Sequence, residues 1–298
     1  MPSHSTERTT TMLHLGKNNL NNKAIHPTSS KGSSGRKVLL GLTIATALAG
    51  ALPTAYGDPS NQTPPAIKPW KISWGWNYFE GDYRLAQTTR VFYVPWKIQY
   101  QINRSWQVAL TTPWLAVFGP GTASDTTLLA TPDQAISEDA SGLGDVILGA
   151  TYLSSKQWLP GWWHSISVKQ KIPTADADKR LGSGEPDTSF HITFFKTTAH
   201  WQWLIETAYK KRSDATLDNS FSGSLGALYR PITSIPLRFG IITTMREPAT
   251  PSRSTIQEWT FYSQYHINTA WSMSSYLSTG STADSLDFGF GAQVDYRF

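Results

Sequence analysis

Four histidines that follow residue 57 are the side chains best suited to acid–base chemistry near neutral pH: His164, His191, His200 and His266. A hydrolase needs a nucleophile within reach of a basic nitrogen, and a third polar group that orients the histidine. Ser189 lies two residues before His191, so the two side chains would share one face of a strand. This pair is the candidate for acyl-transfer chemistry, but serine is abundant in the chain and the spacing is not specific.

Other kinds of chemistry leave no recognisable pattern in the sequence. There is no cysteine, which excludes disulfides and thiolate metal sites. There is also no phosphate loop, zinc-ligand spacing or dinucleotide fingerprint. The formal net charge of +5 arises before residue 58, and from there on basic and acidic residues are equal in number. We therefore expect no catalytic residues, no cofactor, no metal and no nucleic-acid partner.

The stretch 286–298 indicates which type of secondary structure positions the candidate residues. Every even position from Leu286 onward is apolar or aromatic, and every odd position is polar, charged or glycine. This period of two predicts a strand with one apolar face, longer than the five or six residues common in soluble proteins. A terminal phenylalanine after alternating aromatics resembles the assembly signal of Gram-negative outer-membrane barrels. The residues of this predicted assembly signal are Phe288, Phe290, Tyr296 and Phe298.

The same alternation recurs upstream at intervals of roughly twenty residues. Short and long connections alternate between these segments, as they do in bacterial barrels. The predicted fold class is all-β, a transmembrane antiparallel up-and-down β-barrel of about 12 strands. An amphipathic sheet of a soluble sandwich is the alternative. The predicted strands are 70–78, 88–101, 104–116, 143–154, 162–173, 188–197, 200–210, 220–230, 236–246, 256–267, 270–279 and 286–298.

The residues before the barrel divide into three segments. Residues 1–35 are polar and aperiodic, which predicts disorder or a misannotated start. Residues 36–57 combine a basic pair, an apolar run and small residues, which predicts a secretory signal peptide cut before Asp58. A transmembrane anchor is the alternative, but the run is short of the ~20 residues that one needs. Residues 58–69 are proline-rich and predict a periplasmic lead-in to the barrel at 70–298.

Aromatic residues make up 12% of the chain, and tryptophans crowd the predicted strand ends. Rings with one apolar and one polar edge favour the headgroup level of a membrane. We interpret most of these residues, among them Trp106, Trp114 and Trp201, as belts that face lipid. They are not predicted to stack on a ligand.

The polar face of each predicted strand should line the lumen. Acids and bases are mixed there, whereas a strongly selective pore would show one sign in excess. With about twelve strands the interior is narrow, so some charges should pair with each other. The loop 117–142 is a candidate partial plug. The predicted lumen-lining residues are Lys97, Asp145, Lys169, Lys171, Glu206, Lys210, Arg238, Arg246, Glu258, Asp287 and Asp295, together with Lys71, Gln202, Gln264, His266 and Arg297.

Two stretches resemble a known family. They are the Gly-Asp strand opening at 142–152, and Val168 to Thr174 followed by the Gly-x-Gly loop at 182–187. They are similar to the outer-membrane barrel family labelled MetA pathway of phenol degradation, although Ala175 stands where that family usually has glycine. The resemblance implies a barrel with an uptake role for small, often aromatic, compounds, and it transfers no catalytic residue. Asp145 and Lys171 should lie on neighbouring strands near the outer end of the lumen, where we expect a salt bridge.

These features together predict a channel for passive uptake of small compounds, aromatic ones among them, in the outer membrane of a Gram-negative bacterium. A structural or assembly barrel without transport is one alternative, and a lipid-modifying enzyme is another. The predicted partners are the lipid bilayer, the barrel-assembly machinery, periplasmic chaperones and a small-molecule permeant.

Overall fold

The computed structural model describes residues 38–39, 68–83, 87–124, 127–130, 139–232, 234–250 and 253–298, with the backbone alone for 38–39 and 121–130. The predicted segment 1–35 lies outside these ranges, and so do nearly all of the predicted signal peptide and lead-in. In the described part of the chain, no helix is long and apolar enough to cross a membrane.

Within the described residues, twelve antiparallel strands close into a barrel. Each strand pairs with its neighbours in sequence, and the last strand pairs with the first from Phe288 with Glu80 to Arg297 with Lys71. This is the up-and-down barrel predicted from the sequence. The strands are β1 (Trp70–Gly81), β2 (Thr89–Gln101), β3 (Trp106–Phe118), β4 (Ala140–Leu143 and Val146–Leu153), β5 (Trp162–Ile172), β6 (Asp187–Thr197), β7 (Trp201–Arg212), β8 (Ser220–Tyr229), β9 (Leu237–Arg246), β10 (Ile256–His266), β11 (Trp271–Gly280) and β12 (Phe288–Arg297).

The strand bounds depart from the predicted ones mainly at the end where the long loops lie, which we call the outer end. β1 continues to Gly81, and β12 begins at Phe288. β12 therefore starts after Leu286, which is almost completely buried. The prediction that Leu286 faces lipid is wrong, because the residue precedes the strand and folds inward with the loop. The segment 188–197, whose alternation in the sequence is less regular, forms a full ladder with both neighbours.

β4 contains a bulge at Gly144 and Asp145. Both of its segments pair with β3, but Leu143 lies opposite Trp114 and Ile147 lies opposite Thr111. β4 thus advances by one more residue than β3 over this stretch, which is the definition of a bulge. The extra residue switches which alternate side chains face inward, and Asp145 becomes fully buried in the interior.

The apolar faces of the strands point away from the interior, as lipid requires. Near the end of the short turns, which we call the inner end, tryptophans that begin a strand lie opposite tyrosines that end the next one. Such cross-strand aromatic pairs stabilise a sheet, and their amphipathic rings suit the membrane interface. The predicted aromatic belt is present in these pairs: Trp70 with Tyr100, Trp106 with Tyr152, Trp201 with Tyr229, and Trp271 with Tyr296.

The short inner turns have a local cause. The side-chain oxygen of Asn103 accepts hydrogen bonds from the backbone N–H groups of Ser105 and Trp106. Asn268 does the same for Ala270 and Trp271. Asparagine favours such turns because its amide imitates a backbone carbonyl. These turns fix the register between β2 and β3 and between β10 and β11.

The loop between β3 and β4 is described only in part. Gly121–Ser124 pairs with Thr127–Ala130, which also pairs with Val38–Leu39 inside the predicted signal peptide. The side chains of 121–130 and the residues 131–138 lie outside the described part of the chain. The predicted plug at 117–142 therefore stays a prediction.

Candidate functional site

The interior of the barrel carries a continuous apolar layer that the alternating pattern does not predict. It combines inward-facing residues of nine strands with side chains from three outer loops. Several strands are apolar on both faces, as in the run from Val91 to Val94, and that double character was the signal available in the sequence. The members of this layer are Phe79, Tyr83, Val91, Tyr93, Leu115, Val117, Leu181, Phe195, Leu204, Leu228, Ile242, Tyr262, Tyr276 and Leu286.

Glycines on neighbouring strands provide the space for these large side chains. A Cβ on Gly291 would lie 2.7 Å from Cε1 of Tyr276 and 2.5 Å from Oδ1 of Asn77. Within this site the Tyr276 hydroxyl donates a hydrogen bond to Asn77 Oδ1 at 2.7 Å, and Asn77 Nδ2 donates to the carbonyl of Tyr93. Tyr93 is 4% exposed and Tyr276 is 6% exposed. The interior is thus narrow and filled by side chains at this level.

A buried ion cluster lies near the outer end of the lumen. Lys171 Nζ is 3.4 Å from Asp145 Oδ2 and 3.1 Å from Asp187 Oδ2, and the lysine side chain is 1% exposed. The salt bridge expected between Asp145 and Lys171 is present. Asp187 is a second partner that the sequence reasoning missed, although register places it directly opposite Lys171. Two carboxylates therefore surround one ammonium group in the barrel wall.

The same cluster seats the loop 173–186 on the barrel. Thr174 Oγ1 accepts a hydrogen bond from the Val146 amide and donates one to the Gly144 carbonyl. Asp145 Oδ1 accepts a hydrogen bond from the Ala175 amide at 3.0 Å. Further along, Leu181 is 1% exposed and joins the apolar layer. The two stretches that carry the family resemblance therefore meet in space and fold this loop inward.

A second set of contacts joins three other outer loops. Arg253 Nη1 lies 2.8 Å from Asp284 Oδ1 and donates a hydrogen bond to the Tyr83 carbonyl at 2.8 Å. Asp284 Oδ2 accepts hydrogen bonds from the amide and hydroxyl of Ser254. Tyr83 has a φ of 48° and is 2% exposed, so its ring points into the interior. We call Arg253, Ser254 and Asp284 the loop clamp.

The loop clamp should depend on the ionised form of Asp284. Burial acts to raise the pKa of Asp284, but hydrogen bonds from Ser254 and Arg253 outweigh it and hold the pKa below its ordinary value. A lowered folded-state pKa means that the stabilisation is complete above the unfolded value of about 3.9 and is lost as pH falls through the folded value. The clamp is therefore fully formed at neutral pH.

Replacing Asp284 with Asn should loosen these loops at pH 7. Hydrogen bonds to charged groups contribute about 1.5–3 kcal/mol each, so amide hydrogen exchange in 247–255 and 281–287 should accelerate by roughly tenfold or more. Mass spectrometry of the reconstituted barrel measures this. The exchange rate of the wild-type protein should approach that of the variant only in strong acid, where Asp284 is protonated. Asp176→Asn in the exposed part of another loop is the control, and equal exchange in Asp284→Asn and wild type would contradict the clamp.

The remaining predicted lumen residues divide into interior groups and one exception. Asp287 is exposed in the loop before β12, where its carboxylate accepts a hydrogen bond from the Asp82 amide. The prediction that Asp287 lines the lumen is wrong, because the strand begins one residue later. The interior groups are Lys71 with Asp295, Arg238 with Gln202, Arg246 beside Glu258, Glu206 with His191 and Thr193, Gln264, His266 and Arg297, and the lysines Lys97, Lys169 and Lys210.

The histidine singled out for acyl transfer has a different neighbour. His191 Nδ1 lies 3.3 Å from Glu206 Oε1, and Thr193 Oγ1 donates to the other oxygen of that carboxylate at 2.9 Å. Ser189 is on the same face of β6, as predicted, and is buried. His191 is thus part of a polar group inside the barrel.

Residues 75–298 match the family described as "Putative MetA-pathway of phenol degradation". The chain belongs to this family. The match covers the barrel from within β1 to the last residue, so the likeness seen in 142–187 extends over all twelve strands. Within this MetA-pathway chain, the two stretches that carry the resemblance build the Lys171 cluster and seat the loop 173–186.

Solved structures of outer-membrane proteins share the fold. The crystal structure of the COG4313 outer membrane channel from Pseudomonas putida F1 aligns with a TM-score of 0.61 and 13% identity, over 81% of this chain and 100% of that chain. The KdgM porin aligns with a TM-score of 0.50 and 6% identity, over 76% and 99%. No curated protein sequence matches the chain. The MetA-pathway barrel described here therefore has the fold of solved outer-membrane proteins.

Proposed function

We propose that the protein is an outer-membrane channel through which small compounds, aromatic ones among them, diffuse passively. The observation that carries this proposal is a closed barrel whose interior presents charged side chains and aromatic rings together. Membership of a family labelled for phenol degradation supports aromatic permeants. The shared fold with a solved outer membrane channel supports transport over a purely structural role.

The proposal extends to how the barrel reaches the membrane. Residues 36–57 act as the signal peptide, and the mass of the mature N-terminus tests the cut before Asp58. Phe288, Phe290, Tyr296 and Phe298 act as the signal for the barrel-assembly machinery, which periplasmic chaperones supply with unfolded chain. Their side chains point toward lipid along β12 and beyond its end, where an assembly factor can reach them before the barrel closes.

Conductance in planar bilayers tests the channel. Purified barrels should give discrete current steps, and these should be well below those of a sixteen-stranded porin measured alongside, because the interior is narrower and filled. Liposomes that contain the protein should swell in solutions of small solutes, and the rate of swelling should fall as the solute becomes larger. Absence of both steps and swelling would contradict transport and favour a structural barrel.

A hydrolysis assay tests the alternative that the barrel is a lipid-modifying enzyme. Phospholipid hydrolysis by the purified barrel that is lost in His191→Ala would favour a lipid-modifying enzyme. We expect no such hydrolysis, because the imidazole contacts Glu206 within the barrel interior, away from the lipid-facing surface.

A further inference from the structure

Basic side chains that face the lumen occupy paired positions on successive strands. Side chains that lie opposite each other on successive strands form a row across β12, β1, β2, β3, β4, β5, β6 and β7. Four of the eight positions in this row are basic, and none is acidic. The row is Arg297, Lys71, Gln99, Ala109, Gly149, Lys169, Ser189 and Lys210.

This row climbs along the lumen. Strands of a closed barrel tilt against its axis, so partners in register rise steadily around the wall. Arg297 lies at the inner end, beside the chain terminus, and Lys210 lies near the outer end of β7. The row therefore leads from one side of the membrane toward the other. Sequence spacing alone does not reveal it, because its members are far apart in the chain.

The adjacent row adds Lys97. Its register partner is Ser73, which lies opposite Asp295. Lys97 interacts electrostatically with Lys71, Lys169 and Asp295, and in the described part of the chain it has no carboxylate within salt-bridge distance. We call Arg297, Lys71, Lys97, Lys169 and Lys210 the basic track.

Acidic residues lie beside the basic track but not within its row. Asp295 lies 3.9 Å from Lys71, and Glu206 contacts His191 next to Lys169. The row itself holds four basic and no acidic residues, and Lys97 in the adjacent row adds a fifth cation. Lys171 in the neighbouring row is different, because Asp145 and Asp187 enclose it. An excess of one sign along a narrow path is the feature that makes a pore selective for ions of the opposite sign.

Unpartnered polar atoms lie beside the two lysines at the inner end. Ser73 Oγ and both side-chain polar atoms of Gln99 are buried and have no hydrogen-bond partner within the described ranges. Each residue is 2% exposed. A buried polar group without a partner is unfavourable, so these atoms are suited to a ligand that enters the lumen. Ammonium, amide and hydroxyl donors together fit an oxyanion.

We infer that the basic track makes the channel anion-selective, and that Lys71, Ser73, Lys97 and Gln99 form a binding site for the carboxylate of small organic acids. This inference rests on the proposed channel. The apolar layer above the site would take up the rest of such a molecule, and aromatic rings are among its members.

Reversal potentials across a KCl gradient test the selectivity. Wild-type channels should favour chloride over potassium. The double variant Lys71→Gln/Lys97→Gln should lower the permeability ratio several-fold, and Lys97→Arg should keep it. Lys156→Gln, in an exposed inner turn, is the matched control and should behave as wild type. Cation preference in wild type, or an unchanged ratio in the double variant, would overturn the inference.

Current block tests the carboxylate site. Sodium benzoate should reduce the chloride current at concentrations where benzamide, its neutral counterpart, does not. Gln99→Leu should weaken the block several-fold while the barrel stays folded, as judged by heat-dependent gel migration. Equal block by benzoate and benzamide would overturn the site. If no variant or wild-type channel conducts at all, the channel proposal itself fails, whereas conductance without anion preference defeats this inference alone.

Discussion

Replacing Lys171 with Met should lower the free energy of unfolding by about 3–5 kcal/mol, because removing one partner of a buried ion cluster leaves uncompensated charge. Two carboxylates, Asp145 and Asp187, would remain in the barrel wall without their ammonium group. The seat of the loop 173–186 should loosen as well, since Asp145 also holds the Ala175 amide. Urea unfolding in lipid vesicles, followed by tryptophan fluorescence, measures the loss.

Two companion variants separate charge from packing. Lys179→Met removes the partner of Asp176 in an exposed pair of the same loop, and it should cost about 0.5 kcal/mol or less. Adding Asp145→Asn and Asp187→Asn to Lys171→Met should recover much of the stability, because these three positions then carry no charge. Unchanged stability of Lys171→Met on its own would show that the cluster does not hold the fold.

The geometry of this cluster also shows how its residues determine the path of the loop 173–186. Thr174 bridges the two sides of the β4 bulge, and Gly182 passes so close to Asp145 that a Cβ would lie 2.9 Å from its carboxylate oxygens. These contacts fix where the loop folds and place Leu181 in the apolar layer. The motif shapes the mouth of the barrel, and the basic track on the inner wall is the part that would meet a permeant.

The fold could be predicted because lipid imposes a simple rule on each strand. One face must be apolar over the whole membrane thickness, and this produces the period of two in segments such as 286–298. Strand number, order and the position of the aromatic belt follow from that rule. The salt bridge between Asp145 and Lys171 could also be predicted, because the alternation places both residues on inward faces of adjacent strands.

The interior could not be predicted to the same extent. No comparable rule holds for the lumen, where polar, charged and apolar side chains are all compatible with a closed wall. The period of two places Val91 and Leu115 on inward faces, but it does not predict that they join an apolar layer there. The bulge in β4 and the inward turn at Leu286 depend on loop contacts, which the period of two does not encode. The basic track depends on register across eight strands, and register emerges only when the barrel closes.

The buried ring of Tyr276 in the lumen gives the second large expected effect. Tyr276 lies over Gly291, stacks on Phe79 with ring centroids 6.5 Å apart, and donates a hydrogen bond to Asn77. Its ring thus covers Gly291 of β12 on the inner wall and links β11 to β1. Removing the ring would leave a cavity with a polar atom of Asn77 on its wall, and such a cavity is suited to hold water.

Tyr276→Ala should therefore roughly double the single-channel conductance or raise it further, because water and ions replace a side chain that fills the path. Tyr276→Phe keeps the ring and should conduct like wild type, which separates the ring from its hydroxyl. Tyr265→Ala removes a tyrosine that faces lipid on β10 and should also leave conductance unchanged. If Tyr276→Ala folds and conducts like wild type, the permeation path does not pass this ring, and the constriction must lie among the outer loops.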